Sequence, residues 1–262
     1  MIILESIILA AGYCSRFNFS NSTYKKYMLP LERSNILNYI IIAMQQAGIY
    51  KINIVVDDEA DISQVSNSFD KFVEKLAINP PELNFIKNLY PERENGYSLF
   101  LGINEVKSKN YILSMADQVF SDNIYIQLIS NYSDEDIILA TDPMKIDGIY
   151  DLDDCTKIYG NNLNINMIGK KISDYNRLDM GVFMMKSTTI RKISQKIENE
   201  KEKFGVSDIV LSAINSNLKV AYFDFPNTVW LDIDTDFEYQ KLNNTFYKSS
   251  KFRPFNLDLL KD

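Results

Sequence analysis

Ile7-Ile8-Leu9-Ala10-Ala11-Gly12-Tyr13-Cys14-Ser15-Arg16, followed ten residues later by Lys26-Tyr27-Met28-Leu29-Pro30-Leu31, decides how this chain reads. A short continuous apolar run suits a strand buried on both faces. It opens into small residues, where backbone N–H groups can approach an anion such as a phosphate chain closely. Arg16 and Lys26 then offer two cations to neutralise that anion.

Working outward, apolar strands alternate with helical patterns. Ser6–Leu9 is a buried strand. Ser34 or Asn35 can cap a helix that turns Ile36, Leu37, Ile40, Ile41 and Met44 inward and stops at Gly48. Ile52–Val56, Leu83–Ile86, Tyr111–Met115 and Ile137–Thr141 read as strands. Ile62, Val65, Phe69, Phe72 and Leu76 recur at helical spacing, and Tyr97–Val106 and Asn123–Ile129 also read as helices. Such alternation predicts an α/β, doubly wound, mostly parallel (mixed) sheet in one Rossmann-like unit. Gly12, Asp57 and Asp117 each follow a strand end and so should share the ligand-binding edge of the sheet.

After Pro143 the pattern changes. Lys157–Tyr159 and Asn164–Ile168 are short strands around Asn161-Asn162, and Gly181–Met185 is another. Helices Ser187–Glu198 and Ser207–Ile214 follow, the second with Ser207 as its cap. Leu218–Phe223 and Val229–Ile233 are the last strands, and Thr235 starts a final helix. Residues 1–248 are expected to form one domain, with 1–142 as its first part and 143–248 packed on the same sheet. Residues 249–262 are a polar tail.

The 262 residues carry 46% hydrophobic and 24% charged side chains, a globular balance. A net charge of −7 argues against nucleic acid as a partner. Histidine is absent, which excludes His-based triads, His-ligated zinc and His proton shuttles. Nucleotidyl or phosphoryl transfer survives that exclusion, because it depends on positioning and charge stabilisation. Cys14 and Cys155 have no metal-ligand spacing and read as reduced thiols. With Glu5 interrupting the first apolar stretch, no signal peptide is expected. No run reaches the roughly 18 apolar residues of a membrane span. The setting expected is cytoplasmic.

Three further segments can carry chemistry, each with a plainer alternative. Asp117 can cap a turn or act as a hard metal ligand. Strand alternation places Asp232 and Asp234 on one face, where they repel unless a cation intervenes, while Asp234 can also cap the helix behind it. Lys157 and Lys170 are either surface lysines or a pair facing an anionic group.

In this order, Leu9–Arg16, Lys26–Leu31, Met115–Phe120 and Trp230–Thr235 resemble the signature of the nucleotidyltransferase superfamily, whose members have a nucleotide-diphospho-sugar transferase fold. Cys14 stands where that signature has a second glycine, and Tyr27 where it has proline. The resemblance implies Arg16 and Lys26 as catalytic residues. It implies Leu9, Ala10, Ala11, Gly12, Ser15, Asn95, Gly96 and Ser98 around the nucleotide. Asp117, Asp232 and Asp234 would hold Mg²⁺. Lys157, Lys170, Asp179 and Gly181 would hold the acceptor, with Gly181 letting the substrate approach. Glu94–Leu99, Asp117–Phe120, Thr156–Lys170 and Trp230–Thr235 together look most like CTP:inositol-1-phosphate cytidylyltransferases. That implies CTP and a small phosphorylated alcohol as partners and is compatible with a homodimer. Phosphocholine, aminoalkylphosphonate and sugar-1-phosphate transferases stay open as alternatives, as does a non-catalytic nucleotide sensor.

Overall fold

The computed structural model describes residues 4–12, 25–31, 34–57, 60, 62–144 and 152–242. Cys14, Ser15, Arg16, Tyr150 and the 249–262 tail lie outside them. In chain order, β1 (Glu5–Ala10) is followed by a 3-10 turn at Lys26–Met28 and a ribbon of β2 (Pro30–Leu31) with β3 (Ser34–Asn35). Then come α1 (Ile36–Gln46), β4 (Lys51–Asp57), α2 (Ile62–Leu76) and β5 (Glu82–Asn88). A 3-10 turn at Pro91–Arg93 precedes α3 (Asn95–Ile103), β6 (Asn110–Met115), β7 (Gln118–Phe120), α4 (Ile124–Asn131) and β8 (Ile137–Asp142). The hairpin of β9 (Lys157–Asn161) and β10 (Asn164–Gly169) leads to β11 (Arg177–Lys186), α5 (Ser187–Glu200), α6 (Val206–Asn215), β12 (Val220–Asp224), β13 (Trp230–Asp232) and α7 (Asp236–Lys241).

Nine of these strands make one sheet in the order β5-β4-β1-β6-β11-β8-β12-β10-β9. Helices cover both faces, as the alternation within β1 requires. Ile8 and Ala10 pack with Ile40, Phe69 and Leu128 from α1, α2 and α4. Ile7 and Leu9 pack with Leu99, Ile193 and Ile209 from α3, α5 and α6. The chain lays down β1, β4 and β5 side by side, then returns through α3 to place β6 on the other side of β1. This reversal is the switch point where open α/β sheets form a ligand crevice, beyond the carboxyl ends of β1 and β6.

The parallel expectation holds for β5-β4-β1-β6 and for β8 with β12. The mixed part of the sheet centres on β11, which runs antiparallel to β6, β8 and β9. A parallel neighbour needs a crossover, usually helical. Between β8 and β11 the chain makes the β9–β10 hairpin instead, and β11 enters from the opposite end. Its register against β8 slips between Asp179 and Phe183, a bulge centred on Gly181.

Local capping agrees in part with the sequence. Asn35 caps α1, its side chain accepting from Asn38 N–H at 2.9 Å, and Gly48 (φ 84°) follows its end. Ser207 does not cap α6; Gly205 holds that position, and Asp208 accepts from its N–H at 2.8 Å. Asn95 accepts from Val206 N–H at 2.9 Å, so a residue of α3 satisfies the first turn of α6. The β9–β10 turn falls one residue later than read, at Asn162-Leu163, both left-handed (φ 48° and 65°) as a two-residue hairpin turn demands. The Trp230–Asp232 strand does not join the large sheet but pairs antiparallel with β7. Glu5 is buried and accepts from the N–H groups of Lys107 and Ser108, both at 3.0 Å. Among the described residues no helix is long and apolar enough to cross a membrane.

Gly96, in the first turn of α3, packs against the loop before α6. A Cβ there would lie 2.5 Å from Phe204 O and 2.7 Å from Gly205 O. Gly96→Ala is expected to lower stability by about 1–3 kcal/mol, because backbone cannot yield as a side chain can. A denaturation midpoint equal to that of wild type would contradict this packing.

Candidate active site

A cleft of about 270 Å³ opens at the switch point, lined on one side by Leu9, Ala10, Ala11 and Gly12 and on the other by Met115, Ala116 and Asp117. Lys26, Tyr27, Pro91, Glu94, Asn95 and Ser98 complete it. Burial of Tyr27, Leu29 and Leu31 anchors the 3-10 turn that presents Lys26. Asn88 at the end of β5 donates to Ser98 Oγ at 3.0 Å. Gly96 is not among the lining residues; its small size serves the contact with Phe204. Glu94, ahead of α3, has φ 70° and ψ 178°, a conformation normally left to glycine.

At the mouth, Lys26 Nζ binds Asp234 Oδ1 at 2.7 Å and also pairs with Asp117. Asp117, Asp232 and Asp234 each bring a carboxylate oxygen to within 4.8 Å of the others. The fold explains this convergence. Asp117 lies between β6 and β7, Asp232 ends β13, and the β7–β13 ribbon sets Asp232 opposite Gln118. Ile233 N–H donates to Asp117 O at 2.9 Å and fixes the next turn. Asp234 does not cap the last helix; Thr235 does, accepting from Phe237 N–H.

Burial works to depress the Lys26 ammonium, but Asp117, Asp234 and Asp232 outweigh it and hold it above the usual lysine range. Burial, then repulsion from Asp117 and Asp234, pushes the Asp232 carboxyl well above the ordinary carboxylate range, against the pull of Lys26. Asp232 Oδ1 is buried and accepts no hydrogen bond among the described residues. Three hard oxygen donors, one of them orphaned, suit a divalent cation. Beside Lys26, Lys25 pairs with Asp57, the last residue of β4, at 2.9 Å.

The acceptor candidates gather on the neighbouring side. Lys157, buried in β9, donates to the carbonyls of Leu152 and Lys170 at 2.6 and 2.9 Å, with its Nζ 5.7 Å from the Tyr175 ring centre. Lys170 pairs with Asp154 at 2.5 Å, and Asp154 adds to the charge felt by Asp232. Gly181 N–H donates to Asp179 Oδ1 at 2.8 Å. Where a Cβ on Gly181 would project, the Gln118 amide already sits, 2.1 to 2.5 Å away. The glycine therefore accommodates Gln118, a residue to which sequence reading assigned no role.

Burial pushes the Asp179 carboxyl up to about 7, against the stabilising Gly181 N–H. The folded protein thus keeps a proton that the unfolded chain releases near its ordinary value. Stability from this group is full at low pH and is lost as pH rises toward about 7. Asp179→Asn should therefore raise the melting temperature over wild type, and by more at about pH 8 than at about pH 5. A gain that shrinks with pH would contradict the assignment.

Residues 6–148 match the MobA-like NTP transferase domain, and the chain belongs to that family. Among curated proteins it is 24% identical over 250 residues to the bifunctional IPC transferase and DIPP synthase of Thermococcus kodakarensis, covering 95% of this chain and 52% of that protein. The Aquifex aeolicus protein of the same name is 25% identical over 254 residues, covering 95% and 53%. The chain thus spans about half the length of the curated relatives it matches. Among solved structures, the inositol-1-phosphate CTP transferase from T. maritima superposes with a TM-score of 0.76 at 24% identity, covering 91% of this chain and 92% of that one. A UDP-glucose pyrophosphorylase gives 0.76 at 16% identity, covering 94% and 99%. These likenesses establish a nucleotide-diphospho-sugar transferase-like α/β fold with a mixed sheet.

Proposed function

We propose that the protein is a Mg²⁺-dependent cytidylyltransferase that moves CMP from CTP to a small phosphorylated alcohol, inositol 1-phosphate first, and releases pyrophosphate. The observation that carries this reading is Lys26 held between Asp117 and Asp234 at the mouth of a cleft whose wall is Leu9–Gly12. The names of the relatives supply the base and the acceptor. Residues 1–142 form the nucleotide side in this reading, and 143–248 the acceptor side.

An acceptor phosphate oxygen attacks the α-phosphorus in line. The bond to the bridging oxygen breaks, and pyrophosphate leaves with its electron pair. Since the acceptor phosphate is already ionised near neutral pH, no general base is required, in keeping with a chain that lacks histidine. Small residues at Ala10–Gly12 let the backbone approach the triphosphate, with Arg16 and Ser15 assigned to the same loop. Lys26 neutralises charge growing on the α-phosphate. Asp117, Asp232 and Asp234 would hold the metal ion, which when bound supplies Lewis-acid charge to the phosphate oxygens. Lys157, Lys170 and Asp179 orient the acceptor.

A pyrophosphate-release screen tests this, with four nucleoside triphosphates against inositol 1-phosphate, phosphocholine, aminoethylphosphonate and glucose 1-phosphate. The highest kcat/KM is expected for CTP with inositol 1-phosphate. A higher value for UTP with glucose 1-phosphate would make the protein a sugar-nucleotide enzyme instead.

A further inference from the structure

The geometry points to Gln118 as a specificity-determining residue that reads a hydroxyl group of the acceptor. This inference rests on the transferase reading above and names the feature of the acceptor that the site selects.

Gln118 is 6% exposed, and its side-chain Oε1 is buried and accepts no hydrogen bond among the described residues. A buried amide normally finds a partner, because leaving one unsatisfied is costly. The surroundings hold the group in place nonetheless. Its backbone is pinned in the β7–β13 ribbon opposite Asp232. Its amide rests over Gly181, at a bulge in β11 and with a positive φ of 67°. A side chain at 181 would expel it. Gly181 N–H is committed to Asp179, so the backbone beside the amide offers it no donor. The carboxylate cluster flanks it on one side through Asp117, and Asp179 on the other. A bulge, a left-handed glycine and an unpaired amide oxygen therefore meet between Asp117 of the proposed metal site and Asp179 of the proposed acceptor residues.

An amide presents one acceptor oxygen and two donor hydrogens. A hydroxyl both donates and accepts and matches either end. The trimethylammonium group of phosphocholine does neither. The inferred acceptor is thus a phosphate ester bearing a free hydroxyl close to its phosphate.

The test uses the full chain with saturating CTP and Mg²⁺, comparing wild type with Gln118→Leu and Gln118→Met. Each is read for kcat/KM with inositol 1-phosphate, for the Ki of phosphocholine as competitor, for KM of CTP and for melting temperature. Both variants should lose about 10- to 100-fold in kcat/KM for inositol 1-phosphate. Phosphocholine inhibition and the KM for CTP should stay within about twofold, and the melting temperature should not fall, because an apolar replacement removes an unsatisfied group. If Leu is too bulky a branch to fold, the unbranched Met variant decides. An unchanged kcat/KM, or a loss shared equally by phosphocholine binding, would overturn the assignment. Wild-type protein that transfers nothing to inositol 1-phosphate would overturn the parent reading before any variant is made, and this inference with it.

Discussion

Asp117→Ala should cut pyrophosphate release by at least about 10³-fold and leave the fold standing. Of the three clustered carboxylates Asp117 is the one that lines the cleft, and it sits where β6 ends at the switch point. Its partner Lys26 keeps Asp234 as a counter-ion when Asp117 is lost, so the truncation does not strand a buried charge. The hydrophobic faces of the sheet are untouched. A far-UV spectrum and a melting temperature close to wild type, together with absent turnover at saturating Mg²⁺, are the expected pair of results. Excess chelator should reproduce the loss in the unmodified protein. Full activity in either case would remove Asp117 from the metal site.

Lys26→Ala should lower kcat by about 10²–10³-fold while weakening CTP binding much less. The charge it answers grows as the new bond forms, so its worth is greater in the transition state than in the ground state. A second readout follows from its contacts. Without the ammonium, the Asp232 carboxyl loses the cation that opposes its rise and is driven further up. A raised carboxyl costs stability as pH increases. The melting temperature of the variant should therefore fall further below wild type at about pH 8 than at about pH 5, and added Mg²⁺ should reduce that deficit. An unchanged kcat with only a higher KM would leave Lys26 a simple binding residue.

Much of this architecture was legible in the residues. The apolar run Ile7–Leu9, the Asn35 cap and the 3.6-residue spacing from Ile62 to Leu76 all act locally, and each produced the element expected of it. Alternation placed Asp232 with Asp234 on one face, and their convergence with Asp117 was implied by the resemblance to the nucleotidyltransferase signature. What the residues concealed was long-range. The direction of β11 depends on a hairpin replacing a crossover helix. Asn95 is spent partly on α6, and the space beside Gly181 is filled from β7, contacts that no local pattern encodes. Gln118 could have been flagged as a polar side chain lodged between Asp117 and the apolar pair Val119-Phe120. Its missing partner was visible only once the sheet was assembled.

The placement of β11 also governs how the chain can be made. β6 ends at Met115 and β8 begins at Ile137, yet they are not neighbours; β11, complete only at Lys186, fills the gap between them. A chain growing from its N-terminus therefore emerges with both flanks of that gap before it has the strand that joins them. Phe183 to Met185 then enter between two apolar strands, pairing with both on arrival. Bare strand edges of this kind recruit other strands. The interval of synthesis from Asp142 to Lys186 is thus when the nascent protein is most exposed to misassembly, and a ribosomal pause or a bound chaperone there would act on yield without touching a single residue of the cleft.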